Sequence, residues 1–429
     1  MSNNKLNRRQ FIRNASAAAA AFAVLGTTGR KSYGANDKLG IGFIGAGARA
    51  HNHMQSIHWL ATDGKEAVRI AAICDTFKPR LTKAAQGYDA KPYSDYRDLL
   101  KDPNVDVVCV ATPDHHHGYQ ALDAVKAGKD VYCEKPLTHW RQLDLAKRLT
   151  EEVKKSGRVF QVGTQGLFDS AWSQMKKLIQ DGIIGKPIHA TCGYFRVGDW
   201  GERGMPIDDQ NVKPGPDLNW EAFLGDAPKR DFDVSRYFRW RMYEDYAGGP
   251  CTDLFTHSLA PVVYMLGVKW PSSAVGTGGK FRYEEREVPD TFNMLLDYPE
   301  KLTIAVLGTQ GNNYKLGTRG TGGNIPLIRG WDGTLTILNN EIAFIPQEAD
   351  YGGVPASKSK PQQFKIEHGE DQVEFWRTFL RCCREKNPNA LLSTIDLGYY
   401  INTACQMAYV GFKAGKIAKF DAEKQQIIL

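Results

Sequence analysis

The chain has 429 residues, 42% hydrophobic and 24% charged, a globular composition with length enough for two domains that excludes a disordered or collagen-like polymer. Its formal net charge of +7 is concentrated at the start, where Lys5, Arg8, Arg9, Arg13, Arg30 and Lys31 all precede the first acid and leave about +1 for the rest. No basic footprint for nucleic acid survives that placement.

Residues 1–35 read as a targeting segment rather than a domain. Asn7-Arg8-Arg9-Gln10-Phe11-Ile12-Arg13 resembles the twin-arginine export signal, and the weakly hydrophobic run from Ala15 to Leu25 follows it. That run is too short and alanine-rich to span a membrane as a stable helix. The segment implies the twin-arginine export machinery as a partner and a periplasmic or otherwise exported location. Tyr33 fits a small-x-small cleavage site poorly, which leaves a retained membrane anchor open. The eight cysteines include no Cys-x-x-Cys or zinc spacing, and Cys74, Cys109 and Cys133 fall in or at the ends of apolar strands, as core thiols do.

An apolar strand from Lys38 to Ile44 runs into Gly45-Ala46-Gly47-Ala48-Arg49-Ala50, the G-x-G-x-x-G/A pattern with alanine in third place. The first glycine permits a tight turn, the second lets backbone approach a pyrophosphate, and the following helix presents free N–H groups to the anion. The next strand, Val68 to Cys74, ends at Asp75, placed to bond adenosine ribose hydroxyls. This points to NAD, although Lys78 and Arg80 close behind keep NADP open.

A third strand, Val105 to Val110, ends in Thr112-Pro113-Asp114-His115-His116-His117. Three consecutive histidines cannot all face one ion without an unusual loop, so a strand-end loop lining a cofactor is preferred to a metal site. A helix from Tyr119 to Ala127 then leads to Asp130-Val131-Tyr132-Cys133-Glu134-Lys135-Pro136, a short apolar strand that runs straight into Glu-Lys-Pro. Ligands collect outside the carboxyl ends of strands in an open α/β sheet, so Lys135 is placed to meet one. A helix from Trp140 to Ser156 and a strand from Val159 to Gly163 complete a doubly wound parallel Rossmann domain over residues 37–165.

Beyond Gln165 the texture changes. A strand from Ile188 to Phe195 precedes a Gly/Pro/Asp-rich passage from Val197 to Leu218, long enough to be a binding loop. Alternating strands at Phe292 to Tyr298, Leu302 to Gln310 and Thr334 to Leu338 have no helices between them and predict an open, mostly antiparallel sheet. With helices at Asp371 to Glu385 and Thr394 to Ala414, residues 166–429 read as an α+β domain for substrate binding and oligomerisation, its last helices free to pack back on the first domain. Between these elements stands Gly248-Gly249-Pro250-Cys251-Thr252-Asp253-Leu254-Phe255-Thr256-His257. With Thr252 as helix cap, Asp253 and His257 fall one turn apart on one face, where a carboxylate would fix the imidazole tautomer and raise its basicity. Pro261 is expected to kink or restart this helix.

The glycine loop, Thr112 to His117, Glu134-Lys135-Pro136 and Gly248 to His257 occur in the order seen in the Gfo/Idh/MocA family, named for glucose-fructose oxidoreductase and inositol dehydrogenase, and the chain resembles that family over nearly all its length after the leader. The resemblance implies an NAD(P)-dependent oxidoreductase acting on a sugar or polyol hydroxyl. It makes Lys135 the active-site lysine, His257 the acid/base and Asp253 its partner. Cofactor contacts are expected from Gly45, Gly47, Ala48, Arg49, Asp75, Thr112, Pro113, His115, His117, Glu134 and Lys135, and substrate contacts from Gln165 and Arg239. The sequence departs from many members in Ser258-Leu259-Ala260-Pro261, where an acidic residue often follows the histidine. Two other readings stand beside the main one, an NAD-dependent glycosidase and a noncatalytic exported sugar- or nucleotide-sensing protein. A metal-assisted lyase using Asp253, His257 and His189 is a further alternative. A homodimer or homotetramer is expected, and export with bound NAD points to a redox-neutral cycle.

Overall fold

Five short apolar runs and one brief exposed strand alternate with helices in the first part of the chain, and the computed structural model closes them into one parallel sheet. It describes residues 37–198, 204–315, 317–320, 323–348, 356–357 and 359–429. The segment read as a twin-arginine signal, with its hydrophobic run and expected cleavage region, lies outside the described residues.

In chain order the first sheet is built from β1 (Leu39–Ile44), α1 (Ala48–Thr62), β2 (Val68–Cys74), α2 (Lys78–Tyr88), β3 (Lys91–Tyr93), α3 (Tyr96–Lys101), β4 (Val107–Val110), α4 (Asp114–Lys126), β5 (Asp130–Glu134), α5 (Leu143–Ser156) and β6 (Phe160–Gly163). Its strand order is β3-β2-β1-β4-β5-β6 with every pairing parallel. Helices cover both faces, so β1, β4 and β5 are buried along their whole length and read as unbroken apolar runs rather than alternating ones. The order reverses between β1 and β4, the crevice where such sheets receive ligands. There Gly45, with φ of 99°, packs so closely that a Cβ would lie 2.6 Å from the Ala111 carbonyl oxygen.

One boundary differs from expectation with consequences for the site. The three histidines are not in a loop: α4 starts at Asp114, directly after Pro113, and carries His115 to His117 in its first turns. Gly118 sits inside the helix, and a Cβ there would meet Leu145 of α5 at 2.6 Å. Its smallness serves close helix packing, and the helix runs through it.

The second sheet follows α6 (Ser170–Gln180). Its elements are β7 (Pro187–Phe195), α7 (Trp220–Leu224), α8 (Val234–Phe238), α9 (Pro250–Asp253), α10 (Phe255–Leu266), β8 (Ser273–Gly279), β9 (Thr291–Tyr298), β10 (Leu302–Thr309), β11 (Leu327–Gly330), β12 (Gly333–Leu338), β13 (Glu341–Pro346), β14 (Gln362–Lys365), α11 (Gln372–Glu385), α12 (Ile395–Ala414), β15 (Ala418–Asp421) and β16 (Gln426–Ile428). The order is β14-β13-β12-β11-β7-β10-β9-β8-β15-β16, antiparallel except where β7 pairs with β10. One face of this sheet packs on α10 and α12 around a core that includes Phe255, Phe292 and Tyr409.

Lys38 to Leu429 forms one compact unit. The last two helices reach back to the first sheet: α11 lies against α1 and α12 against α5 and β6. Polar ties fix the contact, with Asn402 accepting from the Thr138 N–H at 3.3 Å and Gln406 donating to the His139 carbonyl at 2.7 Å. All eight cysteines are free and buried. Among the described residues no helix is long and apolar enough to cross a membrane.

Candidate active site

The carboxyl ends of the first sheet open into a cleft of about 1400 Å³ lined by the glycine loop, Asp75, Thr112, Pro113, Glu134 and Lys135, among others. Gly47 is the N-cap of α1 and has no side-chain cap, so the first N–H groups of a 15-residue helix remain available to an anion. Ala48 and Arg49 form its first turn and also line the cleft. One oxygen of Asp75 accepts from the Ala46 N–H at 2.7 Å and the other from the Phe77 N–H at 2.8 Å. The carboxylate therefore braces the glycine turn as well as facing the cleft. Burial raises its pKa, an effect the Arg80 charge opposes. Arg80 itself is held by Asp208 through two contacts of 2.5 and 2.9 Å. Asp208 belongs to the long loop read from sequence, whose described part, 204–218, docks on the end of β2: the Lys78 N–H donates to the Asp217 carbonyl and the Asn219 N–H to that of Thr76. Residues 199–203 of that loop lie outside the described residues. An uncapped helix start behind two glycines, a strand-end carboxylate and a cleft of this size fit a dinucleotide.

At the end of β5, Glu134 is 4% exposed and accepts from Arg49 Nε at 2.7 Å and from the Lys135 N–H at 3.2 Å. Its Oε1 also lies 2.9 Å from His53 Nε2. The Trp376 indole N–H donates to His53 Nδ1 at 2.9 Å; indole is donor only, so His53 carries its proton on Nε2 and gives it to Glu134. Gly163 stands beside this carboxylate, where a Cβ would come within 2.8 Å of Oε1. Burial is opposed chiefly by the Arg49 charge, which holds Glu134 well below the ordinary carboxylate range.

Lys135 points across the cleft floor to α9, donating from Nζ to Asp253 Oδ1 at 2.6 Å and to the Asp253 carbonyl at 2.9 Å. The Gly-Gly motif supplies the bend that presents this acid. Gly249, with φ of 60°, caps α9, and a Cβ on it would meet the Pro289 carbonyl at 2.8 Å. Thr252 is therefore inside α9 rather than its cap, and its hydroxyl accepts from the Gly248 N–H at 3.2 Å. The helix breaks at Leu254, between α9 and α10, while Pro261 sits within α10. The break belongs to the acid's own turn rather than to the proline.

The relation between Asp253 and His257 also differs from expectation. The Asp253 carboxylate is taken by Lys135 and, at 3.4 Å, by Arg241, and no hydrogen bond reaches the His257 ring from the described residues. Burial is outweighed by those two cations, so Asp253 stays ionised far below its usual range. His257 is pushed down to about 3, by burial first and then by the Lys135 charge. Its basicity is lowered rather than raised, and at neutral pH the ring is a neutral acceptor.

The histidine run spreads over different acceptors. His115 and His116 both turn to the Phe223 carbonyl, at 2.8 and 2.7 Å, while His117 lies between the carbonyls of Pro136 and Thr112. His116 and His117 line the cleft, whereas His115, expected at the cofactor, is buried beneath its wall. Gln165 follows β6, is 5% exposed and leaves its Oε1 without a partner. Arg239 turns away, donating to the Met205 carbonyl at 3.1 Å; the short turn at Trp240–Met242 brings Arg241 to the cleft and to Asp253 instead. His189 lies 3.3 Å from the Arg329 guanidinium, an unfavourable place for a metal cation, and no cluster of three potential metal ligands occurs among the described residues. Sequence reasoning missed Arg241 and Asp114, the latter a buried carboxyl in the middle of the Thr-Pro-Asp-His motif. The three arginines of Arg236 to Arg241 were a signal for the first, but spacing could not choose among them.

Residues 39–164 match the profile of an oxidoreductase family described as an NAD-binding Rossmann fold, and residues 168–429 match the C-terminal alpha/beta domain of the same family. An inositol 2-dehydrogenase/D-chiro-inositol 3-dehydrogenase of Lactiplantibacillus plantarum is 38% identical over 156 residues, 35% of this chain and 41% of that one. The chain spans about half the length of the curated relatives it matches, for example 41% of one and 56% of another. In fold it is similar to the WlbA dehydrogenase of Bordetella pertussis, solved with NADH and UDP-GlcNAcA, with a TM-score of 0.63 at 19% identity over 90% of this chain and 99% of that one. An aldose-aldose oxidoreductase of Caulobacter crescentus, solved with glycerol, gives a TM-score of 0.63 at 20% identity over 89% and 100%.

Proposed function

Because the chain belongs to the Gfo/Idh/MocA oxidoreductase family, we propose that it uses NAD to oxidise a hydroxyl of a sugar or polyol. The observation that carries this reading is the Lys135–Asp253 contact of 2.6 Å at the floor of the dinucleotide cleft. NAD, when bound, supplies the hydride acceptor. The residues of the chain handle the proton and the oxygen. Lys135, fixed by Asp253, offers its one remaining N–H to a substrate hydroxyl and stabilises the alkoxide as it forms. His257 is the base this reading assigns to the hydroxyl proton, neutral at working pH but weakened by burial and the Lys135 charge, while Gln165 offers an unpaired carbonyl oxygen to another hydroxyl of the ring. Mass spectrometry of the denatured supernatant, followed by a panel of sugars, polyols and nitrophenyl glycosides, tests this. NAD release with cofactor reduction by a polyhydroxylated substrate is expected; protein that binds no NAD and reduces none overturns it.

The finer reading is an exported enzyme that carries its cofactor with it. Arg8, Arg9 and Phe11 support twin-arginine export of the folded protein, and the Arg80–Asp208 contact over the end of β2 supports slow cofactor loss. Hydride taken from one substrate would then be returned within the same cycle. Protein lacking residues 1–35 should release stoichiometric NAD after long dialysis, and empty protein that needs added cofactor sinks the idea. Self-association through the second sheet is supported by its uncovered face, where Val275, Leu295 and Ala305 lie side by side across β8, β9 and β10 and Val275 and Leu295 are 38% and 51% exposed. Light scattering should find a dimer or tetramer, and a monomer at micromolar concentration refutes it.

A further inference from the structure

Asp114 is the first residue of α4, directly after Thr112-Pro113. It is 1% exposed, and neither carboxyl oxygen has a hydrogen-bond partner. Buried charges are ordinarily paired, so an orphaned carboxyl in this position is a departure with a cause. The charged groups facing it come from three other elements: Asp253 of α9, which interacts most strongly, then Arg241 of the Trp240–Met242 turn before it, and Lys135 and Glu134 at the end of β5. On its own helix, His115 and His117 are turned to backbone carbonyls. Both nearby cations are already committed to Asp253, at 2.6 Å for Lys135 and 3.4 Å for Arg241.

Two carboxyls that share a site cannot both ionise cheaply, and the one with the cations keeps the charge. The start of α4 favours an anion at Asp114, but that effect is modest beside the cost of burying one unpaired. We propose that Asp114 is a positioning residue for the oxidoreductase chemistry inferred above, a carboxyl group kept protonated behind the Lys135–Asp253 pair so that the ammonium stays committed to Asp253 and to the bound hydroxyl. The proposal rests on that oxidoreductase reading for its role in turnover. Burial, and then the Asp253 charge, push Asp114 up to about 8. Above that pH a second anion appears beside Lys135 and draws the ammonium from the substrate oxygen, so turnover falls.

The same shift has a stability signature. Between the unfolded value of about 3.9 and the folded value, the native state binds the extra proton, so the contribution of Asp114 to wild-type stability declines as pH rises through that window, against the opposite contribution of the buried histidines. Asp114→Asn, neutral at every pH, should lack this slope and melt higher than wild type at pH 8.

Infrared difference spectra supply a test that needs no turnover. Wild-type protein at neutral pH should show a protonated carboxylic acid band that is lost on raising the pH past 9 and is missing from Asp114→Asn. Absence of that band overturns the proposal whether or not the protein oxidises sugars. In kcat/KM, the wild type should lose activity by about tenfold per pH unit on an alkaline limb, and Asp114→Asn should remain active without that limb. A limb of unchanged position in the variant overturns the proposal, as does a folded, NAD-retaining variant inactive at every pH, which would show that the ionised carboxylate is required. If Asp114→Asn fails to fold, the infrared titration of the wild type alone decides, and Asp114→Ser repeats the pH profile.

Discussion

Lys135→Met separates what the lysine does for the fold from what it does for the reaction. Its side chain is 10% exposed and that of Asp253 8%, so the substitution leaves a buried carboxylate without its main partner. Removing one member of a buried pair costs about 3–5 kcal/mol. Arg241 still stands 3.4 Å from the same oxygen, which places the expected loss at the lower end, about 3 kcal/mol. Adding Asp253→Leu removes the stranded charge, and an apolar pair of similar volume is often neutral relative to a buried ion pair. The double variant should therefore recover most of the lost stability, a coupling of about 1–3 kcal/mol, while turnover stays down by about 10²–10⁴ in both proteins. Urea midpoints of the four proteins in the cycle and their kcat values measure the two effects separately. Near-wild-type turnover in Lys135→Met would remove the lysine from the mechanism. A double variant no more stable than the single would refute the account of the pair.

Acid should loosen the fold through its buried histidines. Burial pushes His53, 0% exposed, down to about 4 and His139, 1% exposed, down to about 3, whereas unfolded histidine titrates near 6.5. The stability they contribute is present above that value and is lost as pH falls toward the folded values, about 2 kcal/mol for each at pH 5. Melting temperature should drop between pH 7 and 5, less steeply in His53→Gln, and a flat profile refutes this. Arg241→Ala should depress kcat by at least about tenfold, the equivalent of 1.4 kcal/mol, while Arg239→Ala leaves it within a factor of a few. Kinetics showing the reverse order would place the wrong arginine at Asp253.

Much of the first sheet was legible because its strands are buried on both faces. Val68–Cys74 was read from its apolar run with the bounds the structure has, and the strand from Asp130 was read to end at Glu-Lys-Pro, where the structure carries it one residue further, through Glu134. The glycine loop and Lys135 were legible for a related reason, since backbone geometry at a strand end restricts what can follow it. What failed were local signals overridden by packing. The helix was read to start at Tyr119, five residues after its true start, because the packing of Gly118 on Leu145 is not visible in one chain. Thr252 looked like a cap because Gly249 caps without a side chain. The Asp253–His257 spacing suggested a pair, but Lys135 and Arg241, far apart in sequence, compete for the same carboxylate and win on charge. Asp114 was passed over beside three histidines, and nothing in spacing distinguishes a buried carboxyl with no partner from a helix-capping one.

The residue that ties these pieces together is Glu134, and a residue remote from the cleft tests it. One carboxylate receives Arg49 from the glycine loop and His53 from α1, and His53 in turn receives Trp376 from α11, more than 200 residues further on. Trp376 is 0% exposed and stacks on Tyr132 at 4.3 Å, so Trp376→Phe keeps an aromatic ring while deleting the indole donor. His53 Nδ1 is then left buried without a partner, a loss of about 1–3 kcal/mol. The ring is also freed to move its proton to Nδ1, which would take the Nε2–H away from Glu134 and loosen Arg49 beside the glycine turn. The variant should melt lower and release NAD faster than wild type although it touches no part of the cleft. If it melts lower but holds NAD as long as wild type, the relay is only structural, and Glu134 sets the loop through Arg49 alone.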